Sequence, residues 1–142
     1  MAKSRMIGAK AHAARLRKLA GEQMVRGVGK ALFAAGEAIQ VEAQISITTG
    51  SVSGKKHVPS APGQPPNQDT GVLAGNIEVV QAAPLVVEVS SNAPYAAALE
   101  FGTSKVAARP YMGPARDAKR DEVVQLVRQA VATAVRKSKS RD

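Results

Sequence analysis

Cysteine and tryptophan are both absent from the 142 residues, and aromatic side chains make up only 3% of them. Without cysteine there is no disulfide framework and no thiolate metal site. With so few aromatics the core must come from Ala, Val, Leu and Ile, which favours tightly packed helices over a large pocket. No apolar run approaches the ~20 residues of a membrane span. The basic N-terminus is not followed by the apolar core of a secretory signal. The two histidines, His12 and His57, lie far apart in sequence and outside any ligand-spaced motif, so no metal is indicated. No Gly-x-Ser-x-Gly occurs to support a Ser-His-Asp arrangement. Gly27-Val28-Gly29-Lys30 resembles a phosphate loop only superficially. It lacks the leading glycine, Ala follows the lysine where Ser or Thr is needed, and it falls within a helical pattern. With no convergent polar set, neither an enzyme nor a cofactor is expected.

What the chain has in quantity is positive charge, +9 overall and unevenly placed. Residues 1–30 carry net +7, residues 31–115 net −2 and residues 116–142 net +4. Basic ends suit phosphate or an acidic partner, with a solvated tail as the alternative reading. The candidate contacts are Arg15, Arg17, Lys18 and Arg26 near one end and Arg136 and Lys137 near the other.

The length suits a single domain, residues 1–142. Residues 1–10 read as a flexible basic start. From 11 to 49 an apolar stripe through Leu16, Leu19, Val25, Val28, Leu32, Ala35, Ile39 and Ala43 predicts a helix. Gly21, Gly27, Gly29 and Gly36 interrupt it, so a two-part helix, about 11–26 and 30–47, competes with one rod. Residues 50–68 form a long Pro/Gly-rich loop with Pro62, Gly63, Pro65 and Pro66; Pro65-Pro66 favours polyproline II. Asp69 or Thr70 can cap a short helix carrying Gly71 and Leu73. Ile77–Gln81 and Leu85–Ser90 alternate in hydrophobicity around a turn at Ala82-Ala83-Pro84, which predicts an antiparallel hairpin with one buried face. Two strands alone are marginal. The hairpin therefore needs a third strand (48–52 or 105–108 in this chain), a covering helix or a neighbour's strand. Pro114 opens a second long helix to about 137, with Asp117, Asp121 and Glu122 near its start and basic residues near its end, as the helix dipole prefers. Residues 138–142 make a basic tail. The fold class is α+β: a small antiparallel sheet packed against two long helices.

The stretch between hairpin and second helix, NAPYAAALEFGTSKVAARPYMGP, holds both tyrosines. Pro94 can open a short helix that buries Tyr95, Leu99 and Phe101, and Gly102 can end it. Thr103 begins an exposed loop that leads to Arg109, Pro110 and Tyr111. Glu100 and Arg109 flank this loop and are expected to pair across it. Tyr95 and Tyr111 are read as core or subunit-contact anchors, since tyrosine joins a large apolar body to one hydrogen-bonding tip.

The order of these pieces (SAPGQPPNQDTGVLAGNI, two strands, APYAAALEFGT, ARPYMGPA, then a helix) resembles the tail-completion or head–tail joining proteins of long-tailed bacteriophages. The resemblance covers roughly residues 59–135. It implies a structural virion protein that assembles in the host cytoplasm as a homo-oligomeric ring at the neck. The implied partners are copies of itself, head-closure or connector, tail-terminator and tail-tube proteins, and genomic DNA in the channel. It also implies that Pro62, Gly63, Pro65, Pro66, Asp69, Thr70, Gly71, Leu73 and the connector residues from Pro94 to Tyr111 serve structure or subunit contact. A monomer that orders the 50–68 loop on joining the particle is expected, because that loop has little apolar surface to fix it. The rival readings are a tail-terminator subunit and a free-standing basic nucleic-acid-binding protein. Against the second, the tyrosines lie away from the basic ends, whereas single-strand binders interleave aromatics with cations.

Overall fold

A computed structural model describes residues 8–49, 54–67 and 71–139. Helix α1 runs Ala9–Leu19 and α2 runs Glu22–Thr48. The break expected near Gly27–Gly29 lies instead at Ala20–Gly21. Gly21 is extended (φ −83°, ψ −179°) and caps α2, and its amide still bonds to the Lys18 carbonyl at 3.1 Å. Glu22 follows in the first turn, where the helix dipole favours an acid. At the far end the hydroxyls of Thr48 and Thr49 bond to the carbonyls of Gln44 and Ile45. Such side-chain bonds compete with the helical ladder, and α2 ends there.

A short helix α3 (Val72–Gly75) precedes strands β1 (Ile77–Ala83) and β2 (Val86–Ser91). Gly71 occupies the cap position of α3 at φ 81°; Asp69 and Thr70 lie outside the described residues. The strands pair antiparallel, Ile77 opposite Ser91 and Val79 opposite Val89, with an irregularity between Gln81 and Ala83. The turn is therefore at Pro84-Leu85, one or two residues later than the sequence pattern suggests, and it leaves Leu85 exposed. Among the described residues neither 48–49 nor 105–108 adds a third strand.

Helix α2 supplies the cover. Gly29 and Gly36 are two turns apart and so share one face. A Cβ on Gly29 would lie 2.7 Å from the Pro84 carbonyl oxygen, and one on Gly36 2.7 Å from Val79 Cγ1. The same face continues through Gln40, which donates to the Ile77 carbonyl at 2.7 Å, and Gln44, which donates to the Ala74 carbonyl at 3.1 Å. At Gly29 the helix meets the hairpin backbone, and at Gly36 it meets the hairpin's valine side chains. Gly27 has open space around its Cβ position. Gly27→Ala is expected to raise stability by about 0.5–1 kcal/mol, since it only improves helix propensity. Gly36→Ala is expected to lower it by about 1–2 kcal/mol, because overpacking against stiff valines outweighs that gain. Thermal melts of the two variants check the opposed signs.

Helix α4 (Ala96–Phe101) and the long α5 (Met112–Lys139) complete the chain. Helix α5 packs along α2. The buried cluster joins Ala43 and Ile47 of α2, Leu73 and Ala74 of α3, Ile77 of β1, Ala93, and Tyr111 and Ala115 at the start of α5. It is built mostly from small and aliphatic side chains, with one tyrosine at its centre. The fold is α+β with two long helices and a small antiparallel sheet, as expected; the sheet packs on α2, whereas α5 packs along α2 rather than on the strands.

Candidate assembly surface

The segment from 92 to 114 is organised by Glu100. Its carboxylate accepts hydrogen bonds from the backbone N–H groups of Tyr111 (2.8 Å), Met112 (3.0 Å) and Gly113 (2.8 Å). These are donors that the first turn of α5 leaves without helical partners. The negative charge also sits at the positive end of the helix dipole. Gly113 makes the approach possible, since a Cβ there would stand 3.1 Å from Glu100 Oε1. The pairing of Glu100 with Arg109 expected from the sequence does not form. The Arg109 side chain turns the other way, donating from Nε to the Ser60 carbonyl at 3.1 Å, while its backbone amide bonds to Leu99 O at 2.6 Å. Three amides in fixed positions hold the carboxylate better than one solvated arginine.

Tyr111 is buried, 2% exposed, with its hydroxyl near the Ser91 side chain. Burial raises its pKa, and the nearby Glu100 charge adds to the rise against the opposing effect of the Ser91 side chain. The other two aromatics of this segment depart from expectation. Tyr95 caps α4 and is 44% exposed, and Phe101 is 82% exposed, because only Ala96 and Leu99 of α4 pack against the core. Pro94 forms the turn before α4, and Gly102 ends the helix at φ 74°. A Cβ on Gly102 would press on the backbone of Val106 and Ala108 at 3.0–3.1 Å. Thr103 closes the following loop. Its amide donates to Val106 O at 2.8 Å and its hydroxyl accepts from the amides of Lys105 and Val106. Pro110 is half-buried between Arg109 and Tyr111.

Residues 54–67 lie against this connector. After a 3₁₀ turn at Gly54–Lys56, Gly63 (φ 82°) donates to Ala108 O at 2.9 Å, Arg109 holds Ser60 O, and Asn67 donates to Val58 O at 2.9 Å. Pro66 is buried, Pro65 half-buried and Pro62 exposed. Within the single chain, residues 54–67 thus meet the connector through Gly63 and Ser60. A cavity of about 550 Å³ opens between the arm and α3 and α4, lined by Pro59, Pro66, Leu73, Tyr95 and Leu99. Gly71 and Leu73 border it, whereas Asp69 and Thr70 are outside the described residues. Arg109→Ala is expected to lower hydrogen-exchange protection at the Gly63 amide about tenfold, the scale of one lost charge-assisted bond, with little change in global stability. Amide exchange by NMR reads both quantities.

The basic residues gather at the other end of the helices. Lys18, Arg26 and Lys137 line one cleft between α1, α2 and α5, and Lys30 joins them. Arg15, Arg17 and Arg136 stand outside this lining. Lys30 was not singled out in the sequence, although its place four residues after Arg26 puts both on one side of α2. The cleft holds about 980 Å³, and its walls include Met24, Leu126, Ala130 and Ala134. Glu22, the one carboxylate among the described residues that line it, bonds to Arg26. Among the described residues no three His, Cys, Asp or Glu side chains gather as they would around a metal, and no helix is long and apolar enough to cross a membrane.

A capped connector, an arm held to it and a basic cleft suit binding to other macromolecules, and comparison with known families agrees. The family model described as "Bacteriophage HK97-gp10, putative tail-component" matches residues 10–102. The chain belongs to this family of phage tail components. The match takes in α1, α2, the arm, the hairpin and α4, ending at Gly102. A tail component is a structural protein of the virion, and its partners are other virion proteins. No curated protein and no solved structure matches the chain.

Proposed function

We propose that this tail component is a ring-forming neck subunit that completes the tail and joins it to the head connector. The observation that carries this reading is the connector at 92–114. Its residues are among those that resemble tail-completion and head–tail joining proteins, and they fold into a capped turn that leaves Phe101 82% and Tyr95 44% exposed. Exposed aromatics on a rigid support are the residue type that anchors subunit contacts. A closed ring needs a heterologous interface, in which one face of a subunit meets a different face of the next. On this reading residues 1–142 act as one domain, with copies of itself and the head-closure, tail-terminator and tail-tube proteins as partners. The ring assembles in the host cytoplasm and stays in the virion. Immunogold labelling of a tagged copy in whole particles tests the position. Label at the head–tail junction is expected; label along the tube or at the distal tip would contradict the neck assignment.

A further inference from the structure

The hairpin has an outer face that none of the described residues covers. Ile77, Val79, Val87 and Val89 alternate with the outer residues, and valines 79, 87 and 89 approach Gly36 of α2. The outer residues Glu78, Val80, Val86 and Glu88 are all exposed, with Val80 directly opposite Glu88 across the strands. Neither carboxylate has an ion-pair partner among the described residues. From Lys56 to Lys105 the chain has no intervening lysine or arginine, so this face is acidic and apolar without any cation. The cleft between α2 and α5 is its counterpart. Four cations, Lys18, Arg26, Lys30 and Lys137, stand around an apolar floor, with Glu22 the one carboxylate among the described lining residues.

We propose that the outer face of the hairpin of one copy docks in the basic cleft of the next. Glu78 and Glu88 meet the cationic rim, and Val80 and Val86 cover the apolar floor. The proposal rests on the ring reading above and names the two faces that meet. Charge complementarity selects the occupant: copies that each carry +9 repel at a distance unless an acidic face is presented to a basic one. Duplex DNA fits less well, because a phosphate backbone leaves the Leu126 and Ala130 floor uncovered, and a single strand would find no aromatic side chain among the described lining residues to stack a base on. The two faces are different surfaces of one chain, so the contact is head-to-tail and propagates around a ring.

The cysteine-free chain permits a direct test. A Val80→Cys/Ala130→Cys variant, oxidised mildly under conditions where light scattering shows the wild-type chain associating, is expected to give a disulfide ladder beyond the dimer. Either single cysteine variant stops at the dimer. Adding Glu78→Lys and Glu88→Lys is expected to reduce the ladder at least tenfold, and adding Lys18→Glu and Lys30→Glu to that same chain restores it. Circular dichroism melts confirm that each variant folds. A ladder no stronger than in the single-cysteine variants, or one indifferent to the charge reversals, overturns the contact. If association persists in that case, the ring reading stands and this pair of faces falls. A wild-type chain that forms multimers neither at high concentration nor in particles overturns both. If Lys18→Glu/Lys30→Glu abolishes salt-sensitive retention of duplex DNA while leaving the ladder intact, the cleft is a DNA site and the contact is overturned.

Discussion

Replacing Tyr111 by alanine is expected to lower the unfolding free energy by about 3–5 kcal/mol, the range for removing a large buried aromatic. Tyr111 is 2% exposed and is the largest side chain in a cluster otherwise made of Ala, Ile and Leu. Small neighbours on α2, α3 and β1 have no spare length with which to fill the space, so the cavity persists. At ~3 °C per kcal/mol for a chain of this size, the melting temperature falls by roughly 10 °C or more. Tyr111→Phe separates the hydroxyl from the ring. It keeps the volume, loses the hydroxyl beside Ser91, and is expected to cost no more than about 1 kcal/mol. The pH dependence carries a sign. The folded tyrosine has a raised pKa, first through burial. Its contribution is therefore fully present below the unfolded value near ~10 and is lost as pH rises toward the folded value. Wild-type stability should fall above about pH 10 more steeply than that of Tyr111→Phe. Urea melts at pH 8 and pH 10.5 make the comparison.

Glu100→Ala is expected to cost about 2–3 kcal/mol. A single cap residue contributes ~0.5–2 kcal/mol. Glu100 serves three amides with a full charge at a helix N-terminus, which places it at or above the top of that range. The amides of Tyr111 and Met112 share one carboxylate oxygen, and that of Gly113 uses the other. Glu100→Gln keeps one oxygen and loses the charge, so about half of the loss is expected. The effect should be local as well as global. Exchange protection at 111–115 is expected to fall before that of the middle of α5, since the cap holds only the first turn. A variant that melts like wild type, with unchanged protection at 111–113, would show that water replaces the carboxylate and that the connector is not held by Glu100.

The hairpin, the two long helices and the connector were legible in the sequence because each rests on short-range pattern. Period-two alternation marks Ile77–Gln81, period 3.6 marks α2, and Gly102 marks the stop before the turn; α5 starts at Met112, two residues before the expected Pro114, which sits within its first turn, where a missing N–H is tolerated. What was hidden depends on contacts between distant residues. Gly21, Gly27, Gly29 and Gly36 look alike in sequence, yet one breaks the helix, one is free and two seat the hairpin. Only the tertiary approach of Pro84 and Val79 distinguishes them. Glu100 caps a helix that begins twelve residues later, so no local capping motif announces it, and the nearer opposite charge of Arg109 is a false lead. Phe101 belongs in a core by composition but lies on the outer side of α4, because Ala96 and Leu99 alone face inward. Of the basic candidates, the fold brings Lys18, Arg26 and Lys137 together and adds Lys30, a grouping that required knowing that α1 and the end of α5 meet.

Electron microscopy of particles made without this protein tests the neck assignment most directly. The account predicts filled heads beside separate tails of normal length, with joining restored when the wild-type chain is supplied. Joined, infectious particles in its absence would contradict it. Tails of uncontrolled length would contradict it too, and would move the subunit from tail completion to tail termination.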